Sequence, residues 1–127
     1  MQLLNPTTIS APNGTYSHGV LLERPAELLF ISGQVAIDAS GSIPGSIEEQ
    51  ADLVWSNIEA ILNQAGMGIN HLVKITSFLT RPGDIAAFVK VRARRLGTHR
   101  PSSTLLVVAA LANPTFLVEI EAIASRG

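Results

Sequence analysis

The chain has 127 residues, 46% of them apolar and only 15% charged, with a formal net charge of −1. That size suits one domain with a real hydrophobic core, and the low charge with a positive mean hydropathy excludes a disordered chain and points to a surface partly covered by other subunits. The absence of cysteine removes disulfides, thiolate metal sites and a cysteine nucleophile together.

The first residues, 1–8, lack a basic region followed by an apolar core, and no apolar run approaches the roughly 20 residues that span a bilayer, so a cytoplasmic protein without a membrane segment is expected. Two apolar, β-branched runs follow, residues 19–23 and 27–37, and the short Arg24–Pro25–Ala26 link between them predicts a hairpin. Gly33 interrupts the second run, which marks a β-bulge or a close backbone approach, so Ser32–Gly33–Gln34 is a place where a ligand could meet main-chain amides, with a bulge that merely bends the sheet as the plainer reading. A turn-rich loop leads to Ser46 and Glu49, whose S-x-x-E spacing predicts a capping box. Beyond it Ile47, Ala51, Val54, Ile58, Ile61, Leu62 and Ala65 form one apolar stripe, which Gly66 ends.

Residues 72–80 predict another strand, broken by Arg81–Pro82–Gly83. Asp84 is the expected cap of a second helix running to Leu96. Residues 104–111 are almost continuously apolar, as in a strand buried on both faces, and Asn113–Pro114 turns the chain into a last strand over 116–125. On that strand Phe116, Val118, Ile120, Ala122 and Ala124 share one face, while Leu117, Glu119, Glu121, Ile123 and Ser125 share the other. The order ββαβαββ predicts an α+β fold with both helices on one face of the sheet.

Charge is uneven along the chain: residues 1–60 hold seven acids against Arg24, and the remainder holds eight basic residues against Asp84, Glu119 and Glu121. The basic cluster Lys90, Arg92, Arg94, Arg95 and Arg100 has only Phe88 beside it for stacking, so a solvated helix face is expected in preference to a nucleic-acid surface. Glu119 and Glu121, two apart on an otherwise apolar face, suit general acid or base work, with two ordinary surface glutamates as the plainer reading. His18, next to Tyr16 in a turn-rich stretch, is a candidate proton shuttle, though a histidine that merely caps a strand is the commoner case. His71 and His99 have no metal-ligand spacing, and no phosphate-cradling or dinucleotide loop is present, so neither a metal nor a cofactor is expected. Ser102, Ser103 and Thr104 offer hydroxyls that need an activating base to be nucleophiles.

Several segments together resemble the RidA/YjgF family, also known as L-PSP endoribonucleases: Gly14–Thr15–Tyr16, Ile31–Ser32–Gly33–Gln34–Val35, Gln64–Ala65–Gly66 and Leu72–Val73–Lys74. Arg100–Pro101–Ser102–Ser103–Thr104 and the closing Val118–Glu119–Ile120–Glu121–Ala122–Ile123–Ala124 carry most of the likeness. The resemblance implies a chorismate-mutase-like fold and a homotrimer with a central barrel and small-molecule pockets between subunits. It further implies hydrolysis of enamines and imines to a keto acid and ammonia. On this resemblance Gly33 positions the imine through its main chain, Tyr16 lines the pocket, and Glu119 is the catalytic residue that orients water.

The departure lies at the arginine that clamps the substrate carboxylate in characteristic members, which read Pro-x-Arg-Ser where this chain has Pro101–Ser102–Ser103–Thr104. Ser103 stands in the arginine's place with Thr104 beside it, and a serine cannot form a bidentate, charge-assisted pair. Arg100 is the nearby basic residue available to compensate. An imine or enamine hydrolase of altered specificity is therefore expected, with a non-catalytic trimer binding a metabolite or protein as the alternative, and ribonuclease activity ranked third.

Overall fold

A computed structural model describes all residues from Met1 to Gly127. The strands are β1 (Gln2–Leu4), β2 (Gly19–Leu21), β3 (Glu27–Val35), β4 (Leu72–Leu79), β5 (Ser102–Val107) and β6 (Val118–Arg126), with helices α1 (Ile47–Gln64) and α2 (Ile85–Leu96). The main sheet has the order β3-β6-β4-β5, antiparallel except for the β4/β5 pair, which is parallel because α2 carries the chain back across the sheet between those strands. Both helices lie on one face, as the α+β pattern requires.

Packing follows the predicted periodicities. Val54, Trp55, Ile58 and Leu62 of α1 and Phe88, Val91 and Leu96 of α2 join one core with Ile31, Ile75, Leu79, Val118, Ile120 and Ala124 of the sheet. At the start of α1 the Glu49 amide donates to Ser46 Oγ at 3.1 Å, and the Ser46 hydroxyl donates to Glu49 Oε1 at 2.9 Å. Ser46 is thus the expected N-cap, but the reciprocal half of the capping box is replaced: the Glu49 carboxylate accepts from the Ser46 hydroxyl and not from its backbone amide.

Three expectations are corrected. The runs 19–23 and 27–37 make no hairpin with each other: β2 pairs with β1, and β3 pairs with β6. Arg24, at φ 52°, takes the chain out of extended geometry between them, and the long alternating β6 offers β3 a far more extensive apolar partner than the three residues of β2. The apolar run 104–111 is not buried on both faces within the chain: β5 lies at the edge of the sheet, paired along its length with β4 and bridged on its other side only at Ser102 by Ser17, and Leu106 and Val107 stay 45% and 41% exposed. Asp84 caps nothing with its side chain. Its carboxylate accepts from Arg81 Nε at 2.7 Å and Nη2 at 3.1 Å, a bidentate charged pair that outweighs a bond to a neutral amide.

One buried amide fixes where β6 begins. Gln50, 1% exposed, donates from Nε2 to the carbonyls of Pro44 at 2.9 Å and Thr115 at 2.8 Å, and its Oε1 accepts from the Leu117 amide at 2.8 Å. Replacing it with alanine strands these groups in the core, so Gln50→Ala is expected to cost about 2–3 kcal/mol in urea denaturation. A loss below about 0.5 kcal/mol would show that solvent reaches these groups.

Candidate functional site

The sheet face opposite the helices is uncovered in the single chain. Phe30 is 71% exposed, Leu28 48% and Leu106 45%. Register places Phe78, Thr76 and Lys74 of β4 on this face opposite Glu119, Glu121 and Ile123 of β6. A depression of about 300 Å³ opens here, lined by Phe30, Ile31, Ser32, Lys74, Thr76, Glu121, Ala122 and Ile123. The Lys74 ammonium donates to Thr104 Oγ1 at 2.8 Å, which brings β5 into the same polar group. A wider groove of about 630 Å³ lies elsewhere, between α1 and α2, and its Glu48, Glu49 and Asp52 face Lys90 and Arg94 as ordinary surface charges.

Gly33 sits in a bulge: pairing of β3 with β6 shifts register between Ile31 and Gln34. Its φ lies outside the left-handed region, so the backbone alone does not demand glycine here. The demand comes from Glu119. A Cβ on Gly33 would run into Glu119 Oε2 and lie 2.9 Å from its Cδ, so the carboxylate rests directly over the bare main chain of the bulge. The bulge and a close approach expected from the sequence are both present, but the group that approaches is a side chain of the neighbouring strand.

Of the remaining candidates, Glu121 and Thr104 share the face of this pair. Ser103 is paired with Ile75, which is fully buried under the helices, so Ser103 points to the helix side of the sheet, away from Glu119. Tyr16 stands at the β5 edge, where Ser17 forms a parallel bridge to Ser102, and its hydroxyl donates to Asn13 Oδ1 at 3.1 Å. His18 packs its ring edge-on to Tyr16, with centroids 5.9 Å apart, and its Nε2 lies 2.6 Å from the Ser10 carbonyl, a contact that requires the proton on Nε2. Arg100 turns back on its own loop, donating from Nη1 to the carbonyls of Gly97 at 2.7 Å and His99 at 2.9 Å. Glu121 lines the depression, two residues beyond Glu119 on the same face.

The basic cluster is not one solvated face. Arg95 pairs with Asp52 at 2.8 Å and Glu59 at 3.0 Å, and Arg94 pairs with Asp52 at 2.7 Å, which clips α2 to α1. Burial alone would raise the Asp52 pKa, but hydrogen bonds and charge from Arg95 and Arg94 outweigh it and hold the carboxyl below its ordinary value. Arg92 is buried in the apolar stripe of α2, between Phe88 and Leu96. Sequence reading missed it by grouping it with its neighbours, although its spacing of four from Phe88 and from Leu96 was the available signal. No group of three histidine, aspartate or glutamate residues comes together as a metal site, and no helix is long and apolar enough to cross a membrane.

Comparison with known proteins accords with this arrangement. The family described as Endoribonuclease L-PSP matches residues 8–126. The chain belongs to this family, RidA/YjgF. The RutC family protein PH0854 of Pyrococcus horikoshii is 36% identical over 117 residues, covering 91% of this chain and 90% of its own. TdcF of Escherichia coli K12, whose name provisionally makes it a reactive intermediate deaminase, is 34% identical over 117 residues, 89% of this chain and 88% of its own. Among solved structures, the Rid-family protein YyfB of Yersinia pestis superposes with a TM-score of 0.87 at 29% identity over 98% of both chains. The structure of E. coli TdcF with bound serine gives 0.76 at 30% identity over 100% of both chains.

Proposed function

We propose that this RidA-family protein hydrolyses a reactive imine or enamine to a carbonyl compound and ammonia, in pockets formed between copies of the chain in a trimer. The observation that carries this reading is the Glu119 carboxylate lying over the glycine bulge on the uncovered sheet face. Glu119 holds a water and takes its proton as the oxygen attacks the imine carbon. Glu119 returns that proton to nitrogen to give the carbinolamine, then takes the carbinolamine hydroxyl proton and passes it to the same nitrogen, so that the C–N bond breaks as the carbonyl forms and ammonia leaves. The Gly33 main chain, released from ladder pairing by the bulge, supplies polar contacts for the substrate, while the Ser32 carbonyl accepts from Gln34 Nε2 at 3.0 Å.

Two features support sites shared between subunits. Glu119 and Ser103 occupy opposite faces of one sheet, so within one chain they cannot meet the same small ligand. The exposed Leu28, Phe30 and Leu106 also form an apolar surface of the kind that subunit association buries. The ribonuclease reading is disfavoured because Arg94 and Arg95 are held by acids, Arg100 is bound to carbonyls and Arg92 sits in the buried stripe of α2, which leaves Lys90 as the exposed, unpaired cation of the cluster and no broad basic surface.

The test combines sedimentation with ammonia release from a panel of imines generated from amino acids by an amino acid oxidase. Trimers at micromolar concentration and ammonia release above the spontaneous rate for at least one imine are expected. A stable monomer, or no acceleration across the panel, would sink the deaminase reading and leave the chain a binding module.

A further inference from the structure

Arg92 is only 6% exposed and yet has no acidic partner: the ion pairs of the chain are made by Arg81, Arg94, Arg95 and Arg126. Its single hydrogen bond runs from Nε to Thr15 Oγ1 at 3.1 Å. Neither Nη nitrogen has a partner in the chain, and neither is sealed from solvent. The fork lies beside the aromatic ring of Tyr16, since a Cβ built on Gly14 would be 3.5 Å from both Arg92 Nη2 and Tyr16 Cε1. Phe88 also packs against the guanidinium, its ring centroid 5.9 Å from Cζ.

Charged groups held this deeply are ordinarily paired, because an uncompensated ion loses its hydration with nothing in return. Burial pulls the Arg92 pKa below its ordinary value, with Tyr16 opposing, yet an arginine keeps its charge at any physiological pH. What remains is a partly dry, planar donor fork, fixed at Nε and along its stem, with its outer N–H groups unused. Such a fork matches a carboxylate, which accepts two parallel N–H bonds.

We infer that Arg92 is an anion-binding residue that, with Tyr16 alongside, holds the carboxylate of a small acidic ligand. The inference rests on the proposed deaminase reading for the ligand's size and class. It also revises the expectation drawn from Ser103: a missing arginine on β5 does not deprive the chain of a carboxylate site, because α2 supplies a guanidinium from a different element. Acidic imines are then admissible substrates and their keto acids admissible ligands.

Calorimetric titration of the intact protein with pyruvate and 2-oxobutanoate, with pyruvamide as the uncharged control, tests this. At least one keto acid is expected to bind the wild type more tightly than pyruvamide, Arg92→Met to weaken that binding about tenfold or more, and Arg92→Lys to recover only part. Unchanged affinity in Arg92→Met, or no keto-acid binding to the wild type, overturns the assignment. So does a variant whose subunit association weakens while its keto-acid affinity stays, since the fork then serves a carboxylate of a second copy. If Arg92→Met does not fold, the arginine Nε–H resonances of the wild type decide: one moves with the affinity measured by calorimetry, or none moves at saturation and the inference falls. Binding is read without turnover, so keto-acid binding lost in Arg92→Met but with no ammonia release keeps Arg92 and sinks the deaminase reading, and the converse result does the reverse.

Discussion

Glu119→Gln is expected to lower the turnover of a responsive imine by about 10²–10⁴-fold, the usual contribution of a positioned general base, while leaving the affinity for its keto-acid product within roughly threefold. The amide keeps the size and hydrogen-bonding reach of the carboxylate and loses the ability to take a proton from water. Melting temperature and sedimentation should match the wild type, because Glu119 makes no ion pair or side-chain hydrogen bond in the chain and its removal strands no partner. Turnover retained within a few fold would remove Glu119 from the chemistry. A loss of assembly without any specific effect on ligand would make it a contact between subunits instead.

Gly33→Ala should reproduce much of that loss by a different route. The added methyl occupies the space of the Glu119 carboxylate, and since the obstructed group is the end of a flexible side chain, the fold yields by swinging Glu119 aside. Misplacement of a reacting group by about 1 Å costs on the order of 10²-fold in rate. Stability should change little, because the φ of Gly33 is outside the left-handed region and alanine lowers the entropy of the unfolded chain by an amount worth about 0.4–1 kcal/mol. Kinetics of Gly33→Ala, of Glu119→Gln and of the double variant form the measurement. If both changes act on one carboxylate, the double variant is scarcely worse than Glu119→Gln alone, whereas additive losses would assign Gly33 a separate role in holding the substrate.

Gly33 and Arg92 show how differently the two parts of the candidate site could be read. Glycine inside an apolar strand is unusual enough to flag a bulge or a close approach, and the structure shows both. Which group approaches depends on how β3 registers against β6, a pairing between segments about 90 residues apart along the chain that local patterning does not encode. Arg92 was hidden by its company. Lys90 and Arg94 lie on the solvent side of α2 and Arg95 faces α1, whereas Arg92 falls on the stripe of Phe88, Val91 and Leu96.

What the sequence by itself determined is local and periodic. The N-cap at Ser46, the stripe of α1, the alternating faces of β6 and the glycine stops follow from dihedral preference and side-chain spacing, which act within a few residues. Distinctive segments near Gly33, Ser103 and Glu119 sufficed to indicate the family. Only the tertiary structure decided that β2 joins β1, that β5 is an edge strand, that Asp84 serves Arg81, and that Ser103 and Glu119 face opposite ways. These outcomes arise from competition among partners distant in sequence, where the longer apolar strand and the bidentate charged pair win, and no local preference anticipates which partner will be within reach.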